Sequence, residues 1–117
     1  MDLSNLGGLS LWRRVLIKAV RDKGPDLSQR QMSLLLTVYL TPGPHTVRGL
    51  AARLAISKPA VTRALDRLAA LDFLRRKRDE KDRRNVLVQR TVRGSVFLSE
   101  FAKVITAAAT APEARPD

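Results

Sequence analysis

The residues best suited to chemistry in this sequence are its cations, and they are concentrated in one segment. Between residues 46 and 93 the chain carries fourteen Lys and Arg side chains against five Asp and Glu, an excess of nine positive charges within a formal total of +11. Guanidinium and ammonium groups bind phosphate oxygens through charge-assisted hydrogen bonds. The segment therefore predicts a polyanionic partner, with nucleic acid ahead of an acidic membrane surface.

Catalytic and metal-binding side chains are sparse by comparison. The sequence has no cysteine and a single histidine, His45, in the segment PGPH. A catalytic histidine needs a nucleophile and an orienting acid, and the sequence offers no convincing set, so a structural or phosphate-contacting role is expected for His45. Without cysteine there is also no thiolate for a metal. We expect no catalytic residue, no cofactor and no metal, and an enzyme is the least favoured function.

Two short helices joined by a tight turn are predicted within residues 46–72. Thr46 caps the first helix, residues 55–56 form the turn, and Ser57 caps the second helix, which has Pro59 in its first turn. The apolar residues of the second helix recur at helical spacing, at Val61, Ala64, Leu65, Leu68 and Leu71. Such a pair is typical of a helix-turn-helix, whose second helix enters the major groove of DNA.

The outward face of the second helix supplies the first predicted DNA contacts. The Ser57 hydroxyl and the first backbone amides can hold a phosphate, and Lys58 lies where another phosphate contact is expected. Thr62 and Arg63 point outward, and Arg63 is the predicted guanine contact because guanidinium can pair with two acceptors of that base. An exposed helix with ordinary solvated charges is the alternative interpretation.

A basic β-hairpin is predicted next, over residues 73–90, with DEKDRR at its tip. A two-stranded ribbon is slim enough to reach a minor groove, although a solvated strand or a targeting signal would also explain the run RRKR. The Asp82 carboxylate can fix the orientation of the Arg84 guanidinium, so that less entropy is lost on binding. The complete set of predicted DNA-binding residues is Ser57, Lys58, Pro59, Thr62, Arg63, Arg67, Arg76, Arg78, Asp82, Arg83 and Arg84.

The terminal helices are predicted over about residues 9–23 and 91–109, with Thr91 as the cap of the second. Each has an apolar face with little chain left to cover it, which predicts a homodimer interface. The face of the first is formed by Leu9, Trp12, Leu16, Ala19 and Val20. Residues 1–8 are expected to be a loose lead-in and residues 111–117 a disordered tail.

These elements are predicted to form one domain over residues 1–110. Between the first terminal helix and the helix-turn-helix, Ser28 and Gln31 form a capping box that starts an apolar central helix. No apolar run approaches the roughly 18 residues that a membrane span needs, so no membrane partner is expected.

The segment from about residue 27 to residue 98 resembles the MarR family of winged-helix transcription regulators. The residues that carry the resemblance are SKPAVTRALDRLAALDFLRRKRDEKDRRNVLVQRTVRG, and Asp82-Arg83-Arg84 is similar to the Asp-x-Arg of the family's wing. The resemblance implies that Arg84 enters the minor groove and that Asp82 positions it. It also implies that the recognition-helix positions are Ser57, Lys58, Pro59, Thr62 and Arg63.

The sequence departs from the family pattern in three places. It stops soon after Ala111, where family members usually continue into a last helix that clasps the partner subunit. Arg90 stands where an apolar residue is usual, and the lack of cysteine excludes sensing by thiol oxidation. The early end also weighs against the family's small-molecule effector pocket, which would be lined here by Trp12, Leu16 and Tyr39.

The sequence therefore predicts a mainly α-helical α+β protein with a small β-hairpin: a winged helix-turn-helix flanked by N- and C-terminal dimerisation helices. Its expected partner is double-stranded DNA, bound in a sequence-specific way by a cytoplasmic, nucleoid-associated transcriptional regulator, with a repressor favoured. The first alternative is an architectural protein that coats DNA with little sequence preference. The second is a winged-helix module that binds an acidic protein partner.

Overall fold

The computed structural model describes residues 3–110, so the tail predicted to be disordered lies outside the described residues. Five helices and three short strands follow one another along this part of the chain. In order they are α1 (Leu3–Arg21), α2 (Gln29–Leu40), β1 (His45–Thr46), α3 (Val47–Leu54), α4 (Lys58–Ala70), β2 (Leu74–Arg78), β3 (Val86–Arg90) and α5 (Val92–Thr110). Residues 27–97 form one compact unit, and the segments before and after them form a second.

Capping side chains set where four of the helices begin, as the sequence predicts. Ser28 and Gln31 form the capping box of α2, in which each side chain bonds the other residue's backbone N–H at 3.1 and 2.9 Å. The hydroxyl oxygens of Thr46, Ser57 and Thr91 likewise accept a backbone N–H three residues on, at 2.9–3.2 Å. Each cap satisfies an amide that the first turn of a helix leaves unpaired.

The core of the 27–97 unit lies between α2, α3, α4 and the sheet. Its fully buried residues are Leu34, Leu35, Val38, Leu50, Val61, Leu65, Leu68 and Leu74. Between α3 and α4 the turn passes through Ala55, whose φ of 54° is left-handed. That conformation costs an L-residue roughly 1–2 kcal/mol, and here it sets the angle between the two helices of the helix-turn-helix.

The sheet has three antiparallel strands in the order β1-β3-β2, one more than the predicted hairpin. In β1, His45 pairs with Val88 and Thr46 with Leu87, so a short third strand comes directly before α3. Two residues are too few to show the alternation of a strand, which is why the sequence gives no signal for β1. The hairpin predicted over residues 73–90 is confirmed, with β2 and β3 as its two strands.

Tyr39 ties three elements of this unit together. Its hydroxyl lies 2.9 Å from the carbonyl oxygens of Phe73 and Thr91 and accepts the backbone N–H of Thr91 at 2.9 Å. A Cβ on Gly94 would overlap the Tyr39 hydroxyl and the Phe73 carbonyl. Glycine at 94 therefore lets the first turn of α5 pack directly on α2 and on the start of β2.

In the second unit, α1 begins at Leu3, which corrects the prediction that residues 1–8 form a loose lead-in. Gly7 and Gly8 weaken a helix by about 1 kcal/mol each relative to alanine but do not end it, and Leu6 extends the apolar stripe towards the N-terminus. Val15 is buried, and Arg14 donates to the carbonyl oxygen of Ala108 near the end of α5, with Nη2 at 2.8 Å.

The apolar stripe predicted on α1 faces outward. Its large side chains are between 45 and 75% exposed, and they recur every three or four residues, at Leu6, Leu9, Trp12, Leu16 and Val20. Monomeric proteins rarely expose an apolar row of this length.

Candidate nucleic-acid interface

Helix α4 separates its residues into an apolar face and a polar face, and its polar face is the first part of the site. Ala60, Val61, Ala64, Leu65 and Leu68 are buried. On the other side of the helix, the exposed polar residues and Pro59 form a single face: Lys58, Pro59, Thr62, Arg63, Asp66 and Arg67. All five α4 residues predicted to contact DNA thus lie on the same solvent-exposed face.

The first turn of α4 is built as the sequence predicts. The Ser57 hydroxyl oxygen accepts from the Ala60 N–H at 3.2 Å, which leaves its O–H free to donate outward. Lys58 and Pro59 are the first two residues of the helix, and Pro59 lacks only an N–H that would be unpaired there.

An ion pair joins α4 to β2. Nη1 of Arg76 lies 2.8 Å from Oδ1 of Asp66, and the Arg76 side chain is 33% exposed. Arg76 is one of the predicted DNA-binding residues, but in this structure its guanidinium is engaged with Asp66. A DNA contact by Arg76 stays a prediction, whereas the pair itself connects β2 to α4. Sequence reasoning missed this pair because its partners are ten residues apart and belong to different elements.

The connection between β2 and β3, residues 79–85, is held by hydrogen bonds of its own. The Asp79 N–H donates to the Asn85 carbonyl at 3.0 Å, and the Asn85 N–H donates to the Asp82 carbonyl at 2.9 Å. Nη1 of Arg78 donates to the Arg83 carbonyl at 2.6 Å. With β2 and β3, this connection forms the wing, and its tip is an ordered turn.

Asp82 and Arg84 form a bidentate ion pair at the wing tip. Nε and Nη2 of Arg84 donate to the two carboxylate oxygens of Asp82 at 3.0 and 3.1 Å, and the Arg84 N–H donates to the same carboxylate at 3.1 Å. These side-chain and backbone bonds lower the pKa of the Asp82 carboxyl below its ordinary value, and the charge of Arg48 lowers it further. The Arg84 side chain is still 82% exposed, so it is oriented and accessible at once.

Arg90 is a structural residue that sequence reasoning noticed only as a departure from the family pattern. Its Nε donates to the Val38 carbonyl at 2.9 Å and its Nη2 to the Thr41 carbonyl at 3.2 Å. His45 Nε2 lies 3.1 Å from the same Thr41 carbonyl, in keeping with the structural role expected for it. These groups satisfy carbonyls at the C-terminal end of α2, where the charge of Arg90 is also favoured by the helix dipole.

The three residues predicted to line an effector pocket are divided between the two units. Trp12 and Leu16 are exposed on α1, and Tyr39 belongs to the 27–97 unit, where its hydroxyl is taken up by backbone hydrogen bonds. The effector pocket therefore stays a prediction. Within residues 3–110, no three His, Cys, Asp or Glu side chains are grouped closely enough to hold a metal ion. None of the helices described is both long and apolar enough to cross a membrane.

Comparisons with a family model and with solved structures agree with this fold. The model of the MarR family matches residues 26–85. Among solved structures, BldR from Sulfolobus solfataricus is 28% identical with a TM-score of 0.62, and 91% of this chain and 81% of that one are covered. A MarR transcriptional regulator from Methanosarcina mazei Go1 is also 28% identical, with a TM-score of 0.65 over 84% of this chain and 70% of that one.

A transcriptional regulator from Thermotoga maritima shares the fold at 24% identity, with a TM-score of 0.67 over 89% of this chain and 68% of that one. The search of curated proteins gives no match.

Proposed function

The chain belongs to the MarR family, and from this premise we propose that it is a sequence-specific regulator of transcription that binds double-stranded DNA. The observation that carries the proposal is the presence, in one compact unit, of an outward cationic helix face and an oriented, exposed arginine on a wing. A helix and a ribbon of this size are suited to the major and the minor groove respectively.

In this proposal α4 is the recognition helix and reads base edges in the major groove. Arg63 donates two hydrogen bonds from its guanidinium to a guanine, and Thr62 contacts a neighbouring base. Ser57 and Lys58 bind phosphate oxygens at the start of the helix. Arg67 and Pro59 border the same surface. No acidic partner holds Lys58, Arg63 or Arg67 among the residues described, so these cations are available to DNA.

The wing contributes affinity more than sequence choice. Arg84 inserts into the minor groove, whose negative potential attracts guanidinium, and Asp82 keeps it extended for that purpose. Arg78 and Arg83 lie beside it and add to the positive field, and Arg76 remains a secondary candidate because Asp66 already engages it.

The active species is proposed to be a homodimer that represses transcription in the cytoplasm by occupying operator DNA. Support comes from the exposed stripe on α1, which a second copy would bury. Light scattering should give the mass of a dimer. Trp12→Glu, on the stripe, should lower that mass towards a monomer, whereas Arg13→Glu, an exposed neighbour off the stripe, should leave the dimer intact. Equal masses for both variants would contradict this interface.

The proposed specificity is tested by selection of the whole chain on duplexes with a randomised segment. A symmetric dimer should enrich a pseudo-palindrome whose half-sites are about 10 base pairs apart, or one helical turn. Binding without enrichment would favour the architectural alternative, which the charge of +11 makes the strongest rival. If plain duplex DNA fails to compete with a bound acidic partner for the protein, the module that binds an acidic protein is favoured.

A further inference from the structure

Arg48 is an exposed cation that belongs neither to the outward face of α4 nor to the wing. It is the second residue of α3, immediately after the cap that Thr46 makes to the Gly49 N–H at 2.9 Å. In the described part of the chain its side chain forms no hydrogen bond and no ion pair. No hydrogen bond or ion pair therefore fixes the position of its guanidinium.

The strand pairing brings Arg48 to the base of the wing. Thr46 pairs with Leu87 of β3, so the start of α3 is fixed beside the strand that leads out of the wing tip. Arg48 lies two residues beyond Thr46, and Arg84 lies three residues before Leu87. The positive charge of Arg48 also reaches the Asp82 carboxyl strongly enough to lower its pKa, after the larger effects of the Arg84 side chain and backbone. Arg84 thus binds this carboxylate directly, and Arg48, on a different element, lies within range of its charge.

The position of Arg48 costs stability in the free protein. A cation in the first turn of a helix is repelled by the positive end of the helix dipole. No acidic residue in the first turn of α3 offsets it. The Arg48 side chain therefore forms no hydrogen bond or ion pair that stabilises α3, and its exposed charge lies beside the wing.

We propose that Arg48 is a further DNA-binding residue, which contacts a backbone phosphate between the major-groove site of α4 and the minor-groove site of Arg84. This inference rests on the proposed function, since it assumes that α4 and the wing face the same duplex. The contact involves a phosphate rather than a base, so it strengthens binding to every sequence alike. It also neutralises the repulsion between the Asp82 carboxylate and the nearby phosphates.

The test compares Arg48→Gln with Arg30→Gln as a matched control. Arg30 is likewise exposed and likewise the second residue of its helix, α2, so both substitutions remove one charge from the same helical position. Binding of each full-length variant to a selected site and to random duplex of equal length is measured from about 50 to 200 mM salt. Arg48→Gln should reduce the slope of log affinity against log salt by about 0.9 per bound chain and weaken both duplexes equally. Arg30→Gln should match the wild type.

Each outcome separates this inference from the proposed function. If Arg48→Gln binds like the wild type while Arg84→Gln loses affinity, the Arg48 contact is refuted and the regulator stands. If Arg48→Gln loses affinity for the selected site alone, the contact is to a base and the phosphate assignment is wrong. If the wild-type protein itself fails to bind duplex DNA, the proposed function falls. A circular dichroism melt of both variants confirms that the folds being compared are intact.

Discussion

Helix α4 and the wing hold their cations in different ways. The side chains of Lys58, Arg63 and Arg67 on α4 make no hydrogen bond or ion pair within residues 3–110, whereas those of Arg78 and Arg84 on the wing are bound to a carbonyl and a carboxylate of the wing itself. Free side chains can adjust to the bases they meet, while bound ones reach a groove already oriented. The difference suggests that α4 chooses the sequence and that the wing supplies affinity.

The largest expected effect is a loss of stability in the compact unit that carries both α4 and the wing. Gly94→Ala places a Cβ against the Tyr39 hydroxyl and the Phe73 carbonyl, at the junction of α2, β2 and α5. Overpacking of this kind costs about 1–3 kcal/mol of unfolding free energy, and the displaced backbone hydrogen bonds of Tyr39 add to it. Urea unfolding should show the loss. Gly24→Ala, where a Cβ meets nothing, is the control, and similar midpoints for the two variants would refute the packing argument.

Arg84→Ala tests the wing. It should weaken binding to selected and random duplexes by similar factors, about tenfold, and lower the salt slope by about 0.9 per chain, because the lost interaction is electrostatic. The ratio of the two affinities should stay as in the wild type. A variant that discriminates between sequences less well than the wild type would show that the wing chooses sequence, and the comparison with α4 would fail.

Arg63→Ala tests the recognition helix. It should cost about 1–3 kcal/mol on the selected site, and the preference at one base-pair position should relax, while affinity for random duplex changes little. Repeating the selection with the variant measures this directly. An unchanged preference at every position would remove Arg63 from the base-reading role.

Asp82→Asn should give the smallest effect. The Arg84 charge remains, but the two carboxylate bonds that orient it become a single weaker one, so affinity should fall a few-fold on all duplexes. The pKa of Asp82 in the folded protein lies below its ordinary value of 3.8, so its stabilising contribution is present above that value and is lost only as the pH falls through the lowered pKa. Titration between about pH 5 and 8 should therefore leave the wing's affinity unchanged, and a pH response in the wild type that Asp82→Asn abolishes would contradict this.

Local signals explain what the sequence could predict. Ser28, Thr46, Ser57 and Thr91 start helices where expected because a cap needs only an amide three residues away. The outward face of α4 follows from its 3.6-residue period in the same way.

Contacts between distant elements explain what the sequence could not predict. The strand β1 exists because β3 pairs with it, the Asp66–Arg76 pair joins a helix to a strand, and Arg90 caps a helix that ended 50 residues earlier in the chain. The early start of α1 was missed for another reason: two adjacent glycines lower helix propensity but do not set a boundary.

The central claim is that the protein selects DNA sequences through α4. The most direct measurement is the ratio of its affinities for the selected duplex and for random duplex of equal length, at one stated salt concentration near 150 mM. We predict a ratio of about 10³ or more, as for specific DNA-binding proteins. A ratio close to one, with binding that depends only on duplex length, would contradict the account and identify a protein that coats DNA through its charge alone.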